Sequence, residues 1–215
     1  MKTPQLVAIA LAAVMTLTML NMTGVTMAAP APQKIVCIGD SITRTWPEIL
    51  QQRLGSGWKV LDKGAPSDNT AGMLARFNTD VIANHPQFVV ICAGTAALSH
   101  GEGTKQIESN IAKMCDLAVA NGIKPVLCTI PPRSDKTIYF IYNAYGPSVS
   151  QLNSWVKTYA SGKGYNVINF YSLLNNPWYS GHYLKKYSAG DGVHPNDAGY
   201  QAMGAGVPLK IFGVQ

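Results

Sequence analysis

From residue 34 onward, short apolar runs alternate with stretches whose apolar positions recur at helical spacing. Lys34-Ile35-Val36-Cys37-Ile38 is almost continuously apolar and stops at Gly39, the pattern of a strand covered on both faces. A helix is predicted from about Pro47 to Leu54, with proline in its first turn. After the Gly55-Ser56-Gly57 turn, Trp58 to Leu61 reads as a second strand. Thr70 to Asn84 reads as one helix with Leu74, Phe77, Val81 and Ile82 on a single face. Phe88 to Cys92 is a third strand, running out into Ala93-Gly94-Thr95-Ala96-Ala97-Leu98 as a loop. Ile107, Ile111, Met114, Cys115 and Ala118 mark a long helix from Thr104 to Ala120, stopped by Asn121-Gly122. A fourth strand spans Ile123 to Ile130 and is closed by Pro131-Pro132. A helix from Pro147 to Ala160, a fifth strand from Tyr165 to Phe170 and a helix from Pro195 or Asn196 to about Ala205 complete the pattern.

Five strands alternating with helices predict a three-layer α/β domain with a parallel sheet. No internal repeat or linker divides it. Ligands of such sheets bind at the carboxyl ends of the strands.

The first 28 residues break the pattern. Lys2 precedes an apolar run from Leu6 to Leu20, interrupted by Thr16 and Thr18, and the small residues Thr26-Met27-Ala28-Ala29 follow. The run is short for a bilayer span, so it reads as a secretory signal peptide cut after Ala28, an uncleaved anchor being the alternative. The expected organisation is a signal peptide at 1–28 and one domain at 29–215, secreted or periplasmic, with no stable membrane span after cleavage. With 47% hydrophobic and 13% charged residues among 215, one domain with a substantial core is the expectation.

Charge changes little. The formal net charge is +6, but the one tight basic pair is Lys185-Lys186 and there is no Arg-rich stripe, so nucleic acid is not an expected partner. Cys37, Cys92 and Cys128 lie in apolar strand-like runs and Cys115 in a helical pattern, none with metal-ligand or C-x-x-C spacing. They read as buried small hydrophobes, with one disulfide as the alternative. All ten tyrosines fall between Tyr139 and Tyr200. The segment from Lys136 to Tyr145 follows the fourth strand on the ligand side, as an aromatic wall over a substrate or as plain loop packing.

Two short stretches carry chemistry. Gly39-Asp40-Ser41-Ile42-Thr43 sets a serine on a tight turn where free N–H groups and a helix dipole can stabilise negative charge. Alone, it is also a common capping turn, and helix-start hydrogen bonding is the simplest role for Asp40. In Asp191-Gly192-Val193-His194-Pro195-Asn196, an Asp three residues before a His can accept the Nδ1 proton and leave Nε2 as a base. Together the two stretches read as nucleophile, base and orienting acid. His85 and His100 have no spaced partners, and His182 lies in an aromatic-rich loop, there as a structural residue or bordering the pocket. There is no Walker-type loop or dinucleotide fingerprint.

With these stretches in this order, the mature chain resembles the SGNH hydrolases, also called GDSL esterases and lipases. The resemblance rests on GDSIT at 39–43, DGVHPNDAGY at 191–200, and a middle block from Lys63-Gly64 to Leu74. It implies a flavodoxin-like α/β/α domain and hydrolysis of carboxylic esters, whether lipids, acylated sugars or small esters. It implies Ser41, Asp191 and His194 as the catalytic residues, with backbone N–H groups of Ser41 and Gly64 in the oxyanion hole. No cofactor or metal is implied.

The chain departs from the family at two places. Ser67 stands where a glycine is frequent. The family's Gly-x-Asn-Asp, whose Asn donates to the oxyanion, reads Gly94-Thr95-Ala96-Ala97. Three accounts of the second difference stay open: a substitute donor such as Thr95, Asn69 or water; a weakened member that binds carbohydrate or lipid more than it cleaves; or an engineered replacement. Acyl transfer to an alcohol would use the same residues.

Overall fold

The alternation of side chains along each strand decides the layering. Ile35, Cys37, Val90, Cys92, Val126 and Cys128 point to one face of the sheet, and Val36, Ile38, Val89, Ile91 and Leu127 to the other. All are buried, so helices must cover both faces. The computed structural model describes residues 31–133, 139–178 and 181–215, with the backbone alone for 139–147. The expected signal peptide and the side chains of the segment from Lys136 to Tyr145 lie outside the described residues.

Strands β1 (Gln33–Gly39), β2 (Trp58–Gly64), β3 (Phe88–Cys92), β4 (Lys124–Cys128) and β5 (Asn166–Ile168) form one sheet in the order β2-β1-β3-β4-β5. Every pairing is parallel. This is the doubly wound, flavodoxin-like order, with its switch point between β1 and β3. One layer comprises α1 (Trp46–Leu54), α7 (Phe170–Leu174) and α8 (Asp197–Gly206); Trp46, Leu50, Phe170 and Met203 seal that face. The opposite layer comprises α2 (Thr70–Ala75), α3 (Phe77–Asp80), α5 (Thr104–Ala120) and α6 (Tyr139–Lys163). From it Met73, Phe77, Ile107, Ile111, Met114, Leu152 and Val156 fill the second core.

Several elements differ from the sequence expectation. The single helix over 70–84 is broken: α2 ends at Ala75, α3 follows after Arg76, and Ile82–Asn84 is a 3-10 turn. Asn78, Thr79 and Asp80 are weak helix formers, and Arg76 is drawn to acceptors outside the helix. Phe77 and Val81 are buried all the same. The stretch after β3 is no loop, because Thr95–Ser99 forms a short buried helix, α4. The fourth and fifth strands are shorter than predicted. At Ile130 the Asn153 amide, not a neighbouring strand, takes both backbone groups. Phe170 begins a helix that Asn169 caps by accepting from Ser172 N. All four cysteines are free and buried.

Candidate active site

β1 ends in a turn with no room to spare. A Cβ on Gly39 would lie 2.0 Å from Thr43 Oγ1 and 2.4 Å from the Cys92 carbonyl, so only glycine brings the chain out between β2 and β3. Asp40 follows, fully buried. Its carboxylate accepts from Ile42 N at 3.0 Å, the local bond expected of it, and from Ala96 N at 2.9 Å. The second bond ties the turn to α4. Burial pushes the Asp40 carboxyl up, against the pull of those two N–H groups. Ser41 is left half-buried at the carboxyl edge.

His194 meets it from the other end of the chain. His194 Nε2 lies 2.9 Å from Ser41 Oγ, and Nδ1 lies 2.6 Å from Asp191 Oδ2. The other Asp191 oxygen accepts from Val193 N and His194 N, both at 2.8 Å. Burial is the largest influence on Asp191 and raises its carboxyl, but the three hydrogen bonds and the His194 charge together bring it below the ordinary range. The loop carrying both is braced: Ala189 N donates to His194 O, and the buried Tyr183 hydroxyl donates to Val193 O at 2.9 Å. Asn196 caps α8 through Gly199 N. Ser41 and the Asp191–His194 pair, about 150 residues apart in sequence, thus form a continuous hydrogen-bonded chain.

The middle block sits differently from the expectation. The Gly64 N–H, carried over as an oxyanion donor, donates to Asp62 Oδ1 at 2.8 Å and is therefore engaged. Gly64 is glycine for another reason: a Cβ there would press on Arg44 N at 2.9 Å and Asp40 O at 3.1 Å. Directly after it, Ala65-Pro66-Ser67-Asp68 is a turn closed by Asp68 N on Ala65 O, with Ser67 at φ 60°. Proline at the second place and positive φ at the third are the marks of a type II turn, whose third place favours glycine. Among the described residues the N–H groups of Ser41 and Ser67 have no hydrogen-bond partner.

At 94–97 the main chain of Ala96 is committed within the protein. Ala96 has no side-chain donor, and its N–H is held by Asp40. Thr95 is buried, its hydroxyl without a partner among the described residues. Asn69 uses its carbonyl to cap α2 through Gly72 N. Arg133 is buried beside α4, with Nη1 3.4 Å from Thr95 O and Nη2 2.8 Å from Ser99 Oγ. His85 and His100 are exposed at helix ends, and His182 is half-buried in the connection to the His194 loop. No cluster of metal-binding side chains occurs among the described residues. A groove of about 610 Å³ lined by Lys124, Lys163 and Lys210 opens at the amino ends of the strands, the sheet edge opposite Ser41.

Sequence reading had no access to Tyr183, Arg133 or the bond from Asp40 to Ala96. Each depends on a contact between segments that no local pattern announces. Ser67 left one trace, a non-glycine at a place where glycine is frequent.

A doubly wound parallel sheet with a Ser–His–Asp chain at its carboxyl edge defines a class, hydrolase-like α/β domains. Known sequences and structures define the family. Residues 37–202 match the GDSL-like Lipase/Acylhydrolase family. The chain belongs to this family, and with it to the carboxylic ester hydrolases. It is similar to esterase TesA of Pseudomonas aeruginosa, with 30% identity over 56% of this chain and 67% of the esterase. The arylesterase of Vibrio mimicus is 29% identical over 51% of this chain and 61% of its own length. Among solved structures, a GDSL-like lipase from Bacteroides thetaiotaomicron superposes with a TM-score of 0.72 and 28% identity. It covers 84% of this chain and 88% of the lipase.

Proposed function

We propose that the protein is an exported serine esterase that cleaves carboxylic esters through an acyl-enzyme. The observation that carries this reading is the unbroken chain from Ser41 Oγ through the His194 ring to Asp191. Ser41 Oγ attacks the ester carbonyl carbon as His194 Nε2 takes its proton. Asp191 accepts from Nδ1, fixes the tautomer and stabilises the imidazolium. The tetrahedral oxyanion is received by N–H groups that the protein leaves unengaged, those of Ser41 and Ser67, in place of the Gly64 amide. His194 returns the proton to the departing alcohol. Water, deprotonated by the same nitrogen, then adds to the acyl carbon; the bond from that carbon to Ser41 Oγ breaks as His194 returns the proton to Oγ, and the acid is released. Every step is proton transfer or acyl transfer among these residues and substrate.

Support for a small-molecule ester, whether a simple ester, an acylated sugar or a lipid, comes from the family. Support for export comes from the apolar N-terminal run and the small residues before Ala29. No helix among the described residues is long and apolar enough to cross a membrane. N-terminal sequencing of the protein recovered outside the cytoplasm should begin at Ala29.

The empty position at Ala96 favours a second reading, a scaffold that binds an acylated sugar or lipid with little turnover. Hydrolysis of p-nitrophenyl acetate and butyrate, with labelling by a fluorophosphonate, separates the two. Activity and labelling, both lost in Ser41→Ala, are the expected result. A folded chain that neither hydrolyses nor labels would refute the esterase.

A further inference from the structure

Arg76 lies where three segments of the site are joined. Its Nη2 donates to Gly39 O at 3.0 Å, its Nη1 to Lys63 O at 2.9 Å, and its Nε to Asp68 Oδ2 at 2.7 Å. Nη1 also reaches Asp80 Oδ2 at 2.6 Å. Gly39 ends β1 two residues before Ser41, Lys63 is the penultimate residue of β2, and Asp68 directly follows Ser67. The side chain is only 23% exposed, so these bonds are largely sheltered from water.

These contacts close a ring. Gly39 O accepts from Ala65 N as well as from Arg76. The turn from Ala65 to Asp68 is therefore pinned at its first residue by β1 and at its last by Arg76, which returns to the same carbonyl. Between the two pins stands Ser67, in a backbone conformation that a non-glycine residue keeps only when its surroundings impose it. A planar guanidinium can direct several donors at once into fixed directions, and a lysine ammonium at that distance cannot.

We propose that Arg76 is a positioning residue for ester hydrolysis: it fixes the Ala65–Asp68 turn, and so the Ser67 N–H, relative to Ser41. This rests on the esterase reading and on Ser67 as an oxyanion donor. Arg76 does not touch substrate. Its effect belongs to the transition state, where the oxyanion forms, and not to ground-state binding.

The test compares Arg76→Lys and Asp68→Ala with the parent chain on p-nitrophenyl butyrate. A fluorophosphonate titration of Ser41 sets turnover per competent site, which removes losses from misfolded protein. The expected result is a fall in kcat per titrated site of about ten- to a hundredfold, approaching the loss of one oxyanion donor. KM should stay within about twofold, and the double variant should fall little further than either single one, because both break the same ring. Asp80→Asn weakens an ion pair of Arg76 outside the ring and should lower Tm without changing kcat per site. If Arg76→Lys does not fold, Asp68→Ala decides alone. Variants that keep the parental kcat per site while losing Tm would overturn the inference and leave Arg76 a structural residue. A parent chain without Ser41-dependent hydrolysis would overturn the esterase reading and this inference with it.

Discussion

At the scale of single residues, two positions stand out: Ser67, with its strained backbone, and Ala96, whose side chain cannot donate a hydrogen bond. Ser67 at φ 60° occupies a conformation that costs an L-residue roughly 1–2 kcal/mol and a glycine almost nothing. Ser67→Gly should therefore stabilise the fold by up to about 1 kcal/mol, because the glycine also loosens the unfolded chain. Urea denaturation measures it, and an unchanged midpoint would contradict the strain. Ala96→Asn restores a side-chain donor without disturbing the backbone bond to Asp40, since that bond uses the main-chain N–H. A rise in kcat of up to about 10² is expected, within the usual span for one oxyanion donor. Steady-state kinetics on p-nitrophenyl butyrate would show it. No rise would mean that another group already fills that place.

At the scale of elements, the connection between α7 and α8 decides whether His194 is held ready. Asp191 and His194 are joined within the loop, but the loop is held to the body of the domain by Tyr183, whose hydroxyl reaches Val193 O. Tyr183→Phe keeps the ring and loses that bond. Stability should fall by about 0.5–1.5 kcal/mol, and kcat should fall several-fold while the chain stays folded. Thermal melts and kinetics on the same preparation check both. Helix propensity and periodicity located α5 to the residue, because seventeen residues of regular amphipathic pattern leave little choice. They failed at 70–84 and at α4. There the chain serves tertiary demands: Arg76 leaves its helix for carbonyls of two strands, and Ala96 turns its N–H toward Asp40.

At the scale of the whole molecule, pH acts through carboxyls of opposite sign. In Asp80 burial alone would raise the carboxyl, but hydrogen bonds and charges from Arg76 and Lys63 bring it below the ordinary value, and Asp191 is likewise lowered. A lowered folded pKa means that the unfolded chain binds more protons in acid. The stability these groups contribute is present above about pH 4 and is lost as pH falls through their folded values. Asp40, raised by burial, has the opposite slope: its contribution is full in acid and is lost as pH rises through its raised value. Asp80→Asn should thus flatten the decline of Tm as pH falls below about 4, the ordinary carboxylate value. Calorimetry across that range checks it, and an unchanged slope would assign the decline to other groups.

The sequence by itself determined the alternation of strand and helix, the parallel three-layer class and the pairing of Ser41 with Asp191 and His194. Apolar period and short motifs are local properties, written within a few residues of one another. The tertiary structure alone decided which N–H groups at the carboxyl ends of β1, β2 and β3 are free. Whether an amide is engaged depends on what the fold brings against it: Asp62 takes Gly64 and Asp40 takes Ala96, while Ser67 is left open on a turn pinned by β1 and Arg76. Hydrogen-bond partners of this kind are set by the packing of segments distant in the chain, and no window of residues contains them.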